Sequence, residues 1–307
     1  MASVSRRSRW LRQIEALDPV HDHTEIYRIS AGYEFPWDYQ RALELALFRT
    51  YCVPTISALL EATGEFRDRP QKRYDDTALL MAELAEHGYD SPRGKEALRV
   101  INRAHGQYVI SNDDMRYVLS TFVYEPIEWI STFGWRPLST HEQQAAFHFY
   151  RAVGVRMGIR EIPAGFDEFW AFKREYEAAT FRFSATNQRV GTYTLDLLKS
   201  WYPKPLSGAV DVAIRGLLDE PMLTAFGFRP APPWIGTTAR GALRTRAAVV
   251  RLLPPRRRSK LAQAGRNPTY PGYPAGYRPS DLGAGPPPPD LDPGFLTRPR
   301  SSSAQEY

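Results

Sequence analysis

The chain contains a single cysteine, Cys52, so no intrachain disulfide can close, and cysteine-rich zinc sites and iron–sulfur clusters are excluded within it. A reducing compartment fits that usage. Nowhere does an uncharged apolar run reach the roughly 18 residues that span a bilayer, and the basic opening from Met1 to Val20 lacks the apolar core of a secretory signal. The expectation is therefore a cytoplasmic protein, peripheral on a membrane if it meets one. Strand-like alternation and Asn-Gly hairpin signals are missing, and no repeat recurs at a fixed period, which argues against β-sheet and solenoid folds. Also absent are His-Glu-x-x-His, Gly-x-Ser-x-Gly, a Walker loop, Gly-x-Gly-x-x-Gly and the paired Glu-x-x-His motifs of di-iron bundles. Most familiar hydrolase, nucleotide and dinucleotide chemistries lose their support with them.

Acidic residues are scarce at one end. Residues 1–220 hold 27 Lys+Arg against 30 Asp+Glu, whereas residues 221–307 hold 13 against 4, and no acid occurs from Pro221 to Ser280. Such a field favours a polyanion or an anionic lipid surface over an acidic small molecule. Nucleic acid is the weaker partner, because the arginines belong to no known base-reading motif.

What is present is helix. With 43% hydrophobic and 13% aromatic residues the composition is that of a globular protein, and the apolar positions recur at steps of three and four. The pattern predicts a helix over Trp37–Tyr51 that Pro54 interrupts, one opening at Pro70 and closing on Gly88, and two more capped by Ser91 and Ser111. Further helices are expected at 140–157, 166–180, 184–201 and about 208–218. The segment 231–253 reads as a basic amphipathic helix with Trp234, Ile235, Val249, Val250, Leu252 and Leu253 as its apolar residues, the form of a helix lying on a membrane surface. Residues 254–307, rich in Pro, Gly and Tyr, cannot build a core alone and are expected to be largely disordered.

One histidine stands out. His105 falls with Leu98, Ile101, Tyr108 and Val109 on the apolar side of its helix, while Lys95, Arg99, Asn102 and Arg103 take the other. A buried imidazole needs partners for both nitrogens, so either it hydrogen-bonds inside the core or it binds a metal. His21 and His23 sit in a terminal segment of solvent character, and His141 and His148 are too far apart along one helix to hold one ion together. On the preceding helix Arg73 and Thr77 are four residues apart and share a face. Arginine, hydroxyl and imidazole on facing helices make a pocket that a haem would suit; the plain alternative is an exposed arginine above a core threonine.

The stretches "LFRTYCVPTISALLEATGEF" to "KRYDDT", then "RVINRAHGQYVISNDDMRYVLSTFVYEPIEWI", "FGWRPLSTHEQQAAFHFYRAVGVRMGIREIP" and "EYEAATFRFSATNQRVG" resemble the MpaB/rubber-oxygenase catalytic domain, most closely its fungal and actinobacterial MpaB-like branch. The resemblance covers about Glu25 to Gly227. It implies an all-α fold, a globin-like helical core with additional helices, followed here by an irregular Pro-rich C-terminal tail. Four segments follow: an N-terminal extension at 1–24, the haem domain at 25–230, the basic helix at 231–253 and the tail at 254–307. The resemblance further implies haem b held through one proximal histidine, which corresponds to His105. The family's Arg-x-x-x-Thr pair near the haem corresponds to Arg73 and Thr77. The implied activity is oxidation or cleavage of a carbon–carbon double bond in an apolar, isoprenoid or lipid-like substrate by O2. One departure is plain: latex-clearing relatives carry a lysine just before the threonine, and this chain has Asp76. The distal side is then expected to be open or water-filled, with Asp76 acting as a proton acceptor, facing solvent or pairing with Arg73. A rival from another class is a non-catalytic helical protein that binds an anionic membrane surface, through residues 234–260, or a protein partner.

Overall fold

The computed structural model describes residues 8–262, 273 and 275–297. Arg266 and the remainder of the tail at 263–272, 274 and 298–307 lie outside the described residues, as do residues 1–7. The fold is all-α, and no strand occurs among the described residues.

Among the described residues fourteen α-helices follow one another: α1 Arg9–Glu15, α2 His23–Ile29, α3 Pro36–Thr50, α4 Pro54–Ala62, α5 Glu65–Asp68, α6 Pro70–His87, α7 Pro92–Gly106, α8 Asn112–Phe133, α9 Thr140–Arg156, α10 Phe166–Thr180, α11 Ala185–Ser200, α12 Ser207–Arg215, α13 Glu220–Phe226 and α14 Pro233–Leu252. Local chemistry sets most of these boundaries. Prolines stand in the first turn of α3, α4, α6 and α7, where a missing N–H costs nothing. The bend of 97° between α3 and α4 follows the same logic, since Val53, just before Pro54, is held extended. The hydroxyls of Ser91, Ser111, Ser139 and Ser184 accept backbone N–H groups at the starts of α7, α8, α9 and α11.

The core is built around α8. Tyr117, Val123, Tyr124 and Ile130 on this helix are wholly buried, and α3, α9, α10 and α14 pack around it. Pro126 lies within α8 and removes one of its internal hydrogen bonds, yet the helix runs on to Phe133 because its neighbours enclose it. A second apolar cluster joins Phe48, Cys52, Val190 and Phe226, and a small third one lets Trp10 and Ile14 of α1 pack on Ile26 and Ile29.

The Pro-rich segment after α14 is irregular, and its described part lies against the helices. Lys260 N–H donates to the Gly32 carbonyl at 3.0 Å, Val109 N–H to the Phe295 carbonyl at 2.9 Å and Thr297 N–H to the Gln107 carbonyl at 3.1 Å. Leu282 and Leu291 are buried by these contacts. Side chains of the helical core thus supply what the tail's composition cannot.

Candidate active site

The residues singled out in the sequence sit on one helical hairpin, α6 and α7. Gly88 ends α6 with φ of +76°, a conformation that glycine adopts at no steric cost. Gly94 lets α7 begin directly against that turn, because a Cβ there would stand 2.0 Å from the Gly88 carbonyl oxygen. Ser91 ties the corner from both sides, accepting the Gly94 N–H at 3.0 Å and donating to the Gly88 carbonyl at 2.9 Å. Arg93 at the start of α7 then reaches back to Glu83 of α6 with two hydrogen bonds of 2.6 and 2.7 Å. The spacing of the two helices, and hence of Arg73, Thr77 and His105, is fixed by this corner.

His105 lies on the last turn of α7. Its Nδ1 is 2.8 Å from the carbonyl oxygen of Ile101. A carbonyl only accepts, so Nδ1 carries the proton, and the neutral ring presents Nε2 as an unprotonated lone pair. No hydrogen bond to Nε2 forms among the described residues. Burial lowers the basicity of the ring, the Ile101 hydrogen bond works the other way, and the positive charge of Arg73 lowers it further. At neutral pH the imidazole is therefore neutral and not a cation. The ring is set within the packed helices but keeps part of its surface accessible.

Arg73 approaches from α6. Its guanidinium donates to the Thr77 hydroxyl, and that hydroxyl donates in turn to the Arg73 carbonyl at 3.0 Å, a self-contained link between i and i+4. The guanidinium carbon lies 5.7 Å from the centre of the Phe66 ring, and Tyr51 meets Phe66 edge-on at 5.1 Å. Burial pushes the Tyr51 hydroxyl up to about 12, against the pull of Arg73. The charge of Arg73 also acts on Tyr108, just beyond His105. Arginine, threonine and histidine are thus gathered at one place, with Tyr51, Phe66 and Tyr108 as aromatic neighbours. Both Arg73 and Thr77 are half-buried and reachable.

Asp76 belongs to a different set of contacts. Its carboxylate accepts from Lys72 Nζ at 2.5 Å, from the Tyr273 hydroxyl at 2.5 Å and from the Gly283 N–H at 2.9 Å. It is buried, and its donors come from its own helix and from the C-terminal segment. The remaining histidines near the N-terminus are likewise engaged elsewhere: His21 with Asp18, and His23 with the Val20 carbonyl and the Tyr89 hydroxyl. No group of three or more His, Cys, Asp or Glu that could hold a metal ion occurs among the described residues.

A feature that periodicity did not reveal lies under α8. Lys173 of α10 is buried between Glu125 and Glu177, at 2.8 and 2.9 Å. Arg49 of α3 joins the same group through Glu177 at 2.6 Å and Asp219 at 2.5 Å. The group borders a cleft of about 660 Å³ whose walls include Leu45, Trp129, Trp170 and Met222, with Arg240 and Arg244 of α14 along one side. None of Arg73, Thr77 and His105 lines it. Lys173 and Glu177 are four residues apart on α10, but the other partners are separated by up to 170 residues, so no local pattern in the sequence links the whole group.

Residues 40–262 match the family model described as ER-bound oxygenase mpaB/B'/Rubber oxygenase, catalytic domain. Over 150 residues, 46% of this chain and 50% of the relative, the sequence is 37% identical to ER-bound oxygenase mpaB of Penicillium roqueforti (strain FM164). Over 257 residues, 77% of this chain and 60% of the relative, it is 30% identical to ER-bound oxygenase mpaB' of Penicillium brevicompactum. A third relative, ER-bound oxygenase mpaB of the same organism, is 36% identical over 149 residues, 46% of this chain and 38% of its own length. The matched regions therefore cover at most 60% of these relatives.

Proposed function

Since the chain belongs to the catalytic-domain family of the mpaB and rubber oxygenases, we propose that it is a haem-b-dependent oxygenase that uses O2 to oxidise or cleave a C=C bond of an apolar, isoprenoid or lipid-like substrate. The single observation that carries the cofactor assignment is the hydrogen bond from His105 Nδ1 to the Ile101 carbonyl at 2.8 Å. It leaves Nε2 free, keeps the ring neutral and fixes its orientation, which are the properties an imidazole that would hold iron needs. The chemistry of the neighbours supports the reading: a cation at Arg73, a hydroxyl at Thr77 and the aromatic rings of Phe66 and Tyr51 suit an anionic, flat, apolar group.

Haem b, when bound, supplies the oxygen chemistry itself. The protein's own part is then binding and orientation. His105 would hold the iron through Nε2. Arg73 would meet a propionate or a polar oxygen with its guanidinium, which Thr77 holds in one rotamer through their mutual hydrogen bonds. Asp76 anchors the C-terminal segment over α6 and α7, which leaves it outside the reacting groups in this reading.

The activity is tested by incubating haem-loaded protein with candidate prenyl compounds in air and under argon, followed by mass analysis. Cleavage or oxygenated products that form only in air and disappear in His105→Ala support the reading. Product formation that is indifferent to O2 or to the histidine overturns it.

A further inference from the structure

Helix α14 presents an unusual outward face. Trp234, Thr238, Gly241, Thr245, Val249 and Leu252 follow one another at steps of three and four, all are exposed, and none carries a charge. The large ones are left well open to solvent: Trp234 is 68% exposed, Val249 54% and Leu252 85%, and Leu253 beyond the helix is 50% exposed. A surface helix ordinarily turns such residues inward. Here the inward positions hold Leu243 and Ala247, which pack on the core or are buried, together with two arginines that serve the fold. Arg246 donates to Asp38 at 2.9 Å and lies 3.7 Å from the centre of the Trp37 ring, and Arg240 donates to the Gly216 carbonyl at 3.2 Å.

The other cations border the apolar stripe. Arg244 and Arg251 stand exposed along one edge of it, and Arg257 and Arg258 are exposed just past its end. None of these four forms an ion pair among the described residues, and the sequence has no acid between Pro221 and Ser280 to neutralise them. We infer that the outward face of α14 is a docking surface for a bilayer containing anionic lipid, with Trp234, Val249, Leu252 and Leu253 entering the interface and Arg244, Arg251, Arg257 and Arg258 meeting the headgroups.

The choice of occupant rests on charge and shape. A helix that lies in the interface needs apolar side chains at its lower face and cations at the level of the phosphates, which is the order found here. Tryptophan is favoured at that boundary because its ring is apolar and its N–H polar. With four arginines inside its length, α14 lies on a membrane and does not cross one; no single helix among the described residues is long and apolar enough to cross. A second copy of the chain is a poor occupant, since a twofold contact on this face would bring the exposed cations Arg244 and Arg251 of one copy against the same cations of the other. Because Arg240 and Arg244 also line the cleft of about 660 Å³, that opening lies beside the lipid surface in the docked protein.

The full-length protein is mixed with vesicles of phosphatidylcholine alone, or of phosphatidylcholine with about one-third phosphatidylserine, and sedimented. The wild type is expected in the pellet with the anionic vesicles and to leave it as salt rises. Trp234→Ser/Val249→Ser/Leu252→Ser, all at exposed positions, is expected to weaken partition by about tenfold or more. Arg244→Gln/Arg251→Gln is expected to weaken it by about fivefold for each cation removed. Unchanged thermal melting shows that both variants fold. Wild type that stays in the supernatant with both vesicle types, or variants that bind as tightly as wild type, overturn the inference. So does wild type that ignores vesicles but self-associates in sedimentation velocity through a contact the triple variant abolishes. Binding is read without haem, so failure here leaves the reading of His105 standing.

Discussion

His105 Nδ1 is bonded at 2.8 Å to the carbonyl oxygen of Ile101, one turn back along the same helix. A histidine held in this way has only one nitrogen left for other work. The constraint is backbone-borne, so no side-chain substitution on a neighbouring helix can remove it. Nε2 is left with its lone pair.

Burial is the main reason the His105 imidazole lies below its usual basicity, and the charge of Arg73 adds to that lowering. In Arg73→Gln the ring is expected to titrate at higher pH than in wild type, as followed by NMR of the His105 ring protons in the haem-free protein. An unmoved titration would mean that the two groups do not sense each other. With haem added, Arg73→Leu is expected to bind about ten- to a hundredfold more weakly, the worth of a charge-assisted hydrogen bond to a propionate.

Asp76 joins α6 to residues 273–283 through Tyr273 and Gly283, with Lys72 beside it. Asp76→Asn keeps the shape but loses the charge, and one of its atoms then opposes a donor with another donor. A loss of about 2–3 kcal/mol in urea unfolding is expected, with faster proteolysis in the C-terminal segment. A variant as stable and as protease-resistant as wild type would show that the segment is held by other contacts.

Lys173 has 4% of its side chain exposed and neutralises Glu125 and Glu177. Lys173→Met leaves those carboxylates crowded with only Arg49 to balance them, and is expected to cost about 3–5 kcal/mol. The pH dependence has a definite sign. Burial works to raise Glu177 from its ordinary value of 4.5, but the hydrogen bonds from Arg49 and the charges of Lys173 and Arg49 prevail and hold it below. The unfolded chain therefore takes up this proton first as pH falls. The stabilisation from Glu177 is complete above its unfolded value and is lost as acidification passes through the lower folded one. Denaturation midpoints of wild type measured from pH 7 downward should hold until below 4.5 on account of this group. In Lys173→Met the folded value of Glu177 rises, so the loss of stability on acidification that this group causes should be smaller than in wild type.

Much of the scaffold is legible because its signals are local. Pro70 and Gly88 bracket α6, and Ser91 and Ser111 cap α7 and α8 where their hydroxyls were expected. Apolar spacing likewise placed His105 on an inward side, and the i, i+4 relation put Arg73 with Thr77. The helices α1, α2 and α13, of seven residues each, are too short to give a periodic pattern. The partners of Asp76 could not be foreseen either, because Tyr273 lies 197 residues away in a segment whose composition builds no core. The same holds for Arg49 and Glu177, separated by 128 residues. The acceptor for His105 was within reach, since a histidine four residues after Ile101 on a helix can turn Nδ1 to that carbonyl.

The most direct test is a haem titration followed in the visible spectrum, on wild type, His105→Ala and His105→Gly. Wild type should develop a Soret band with equimolar haem b, and both variants should lose it. Free imidazole should restore the band in His105→Gly by occupying the place of the missing side chain. Haem taken up by His105→Ala with an unaltered spectrum would contradict the account at its centre.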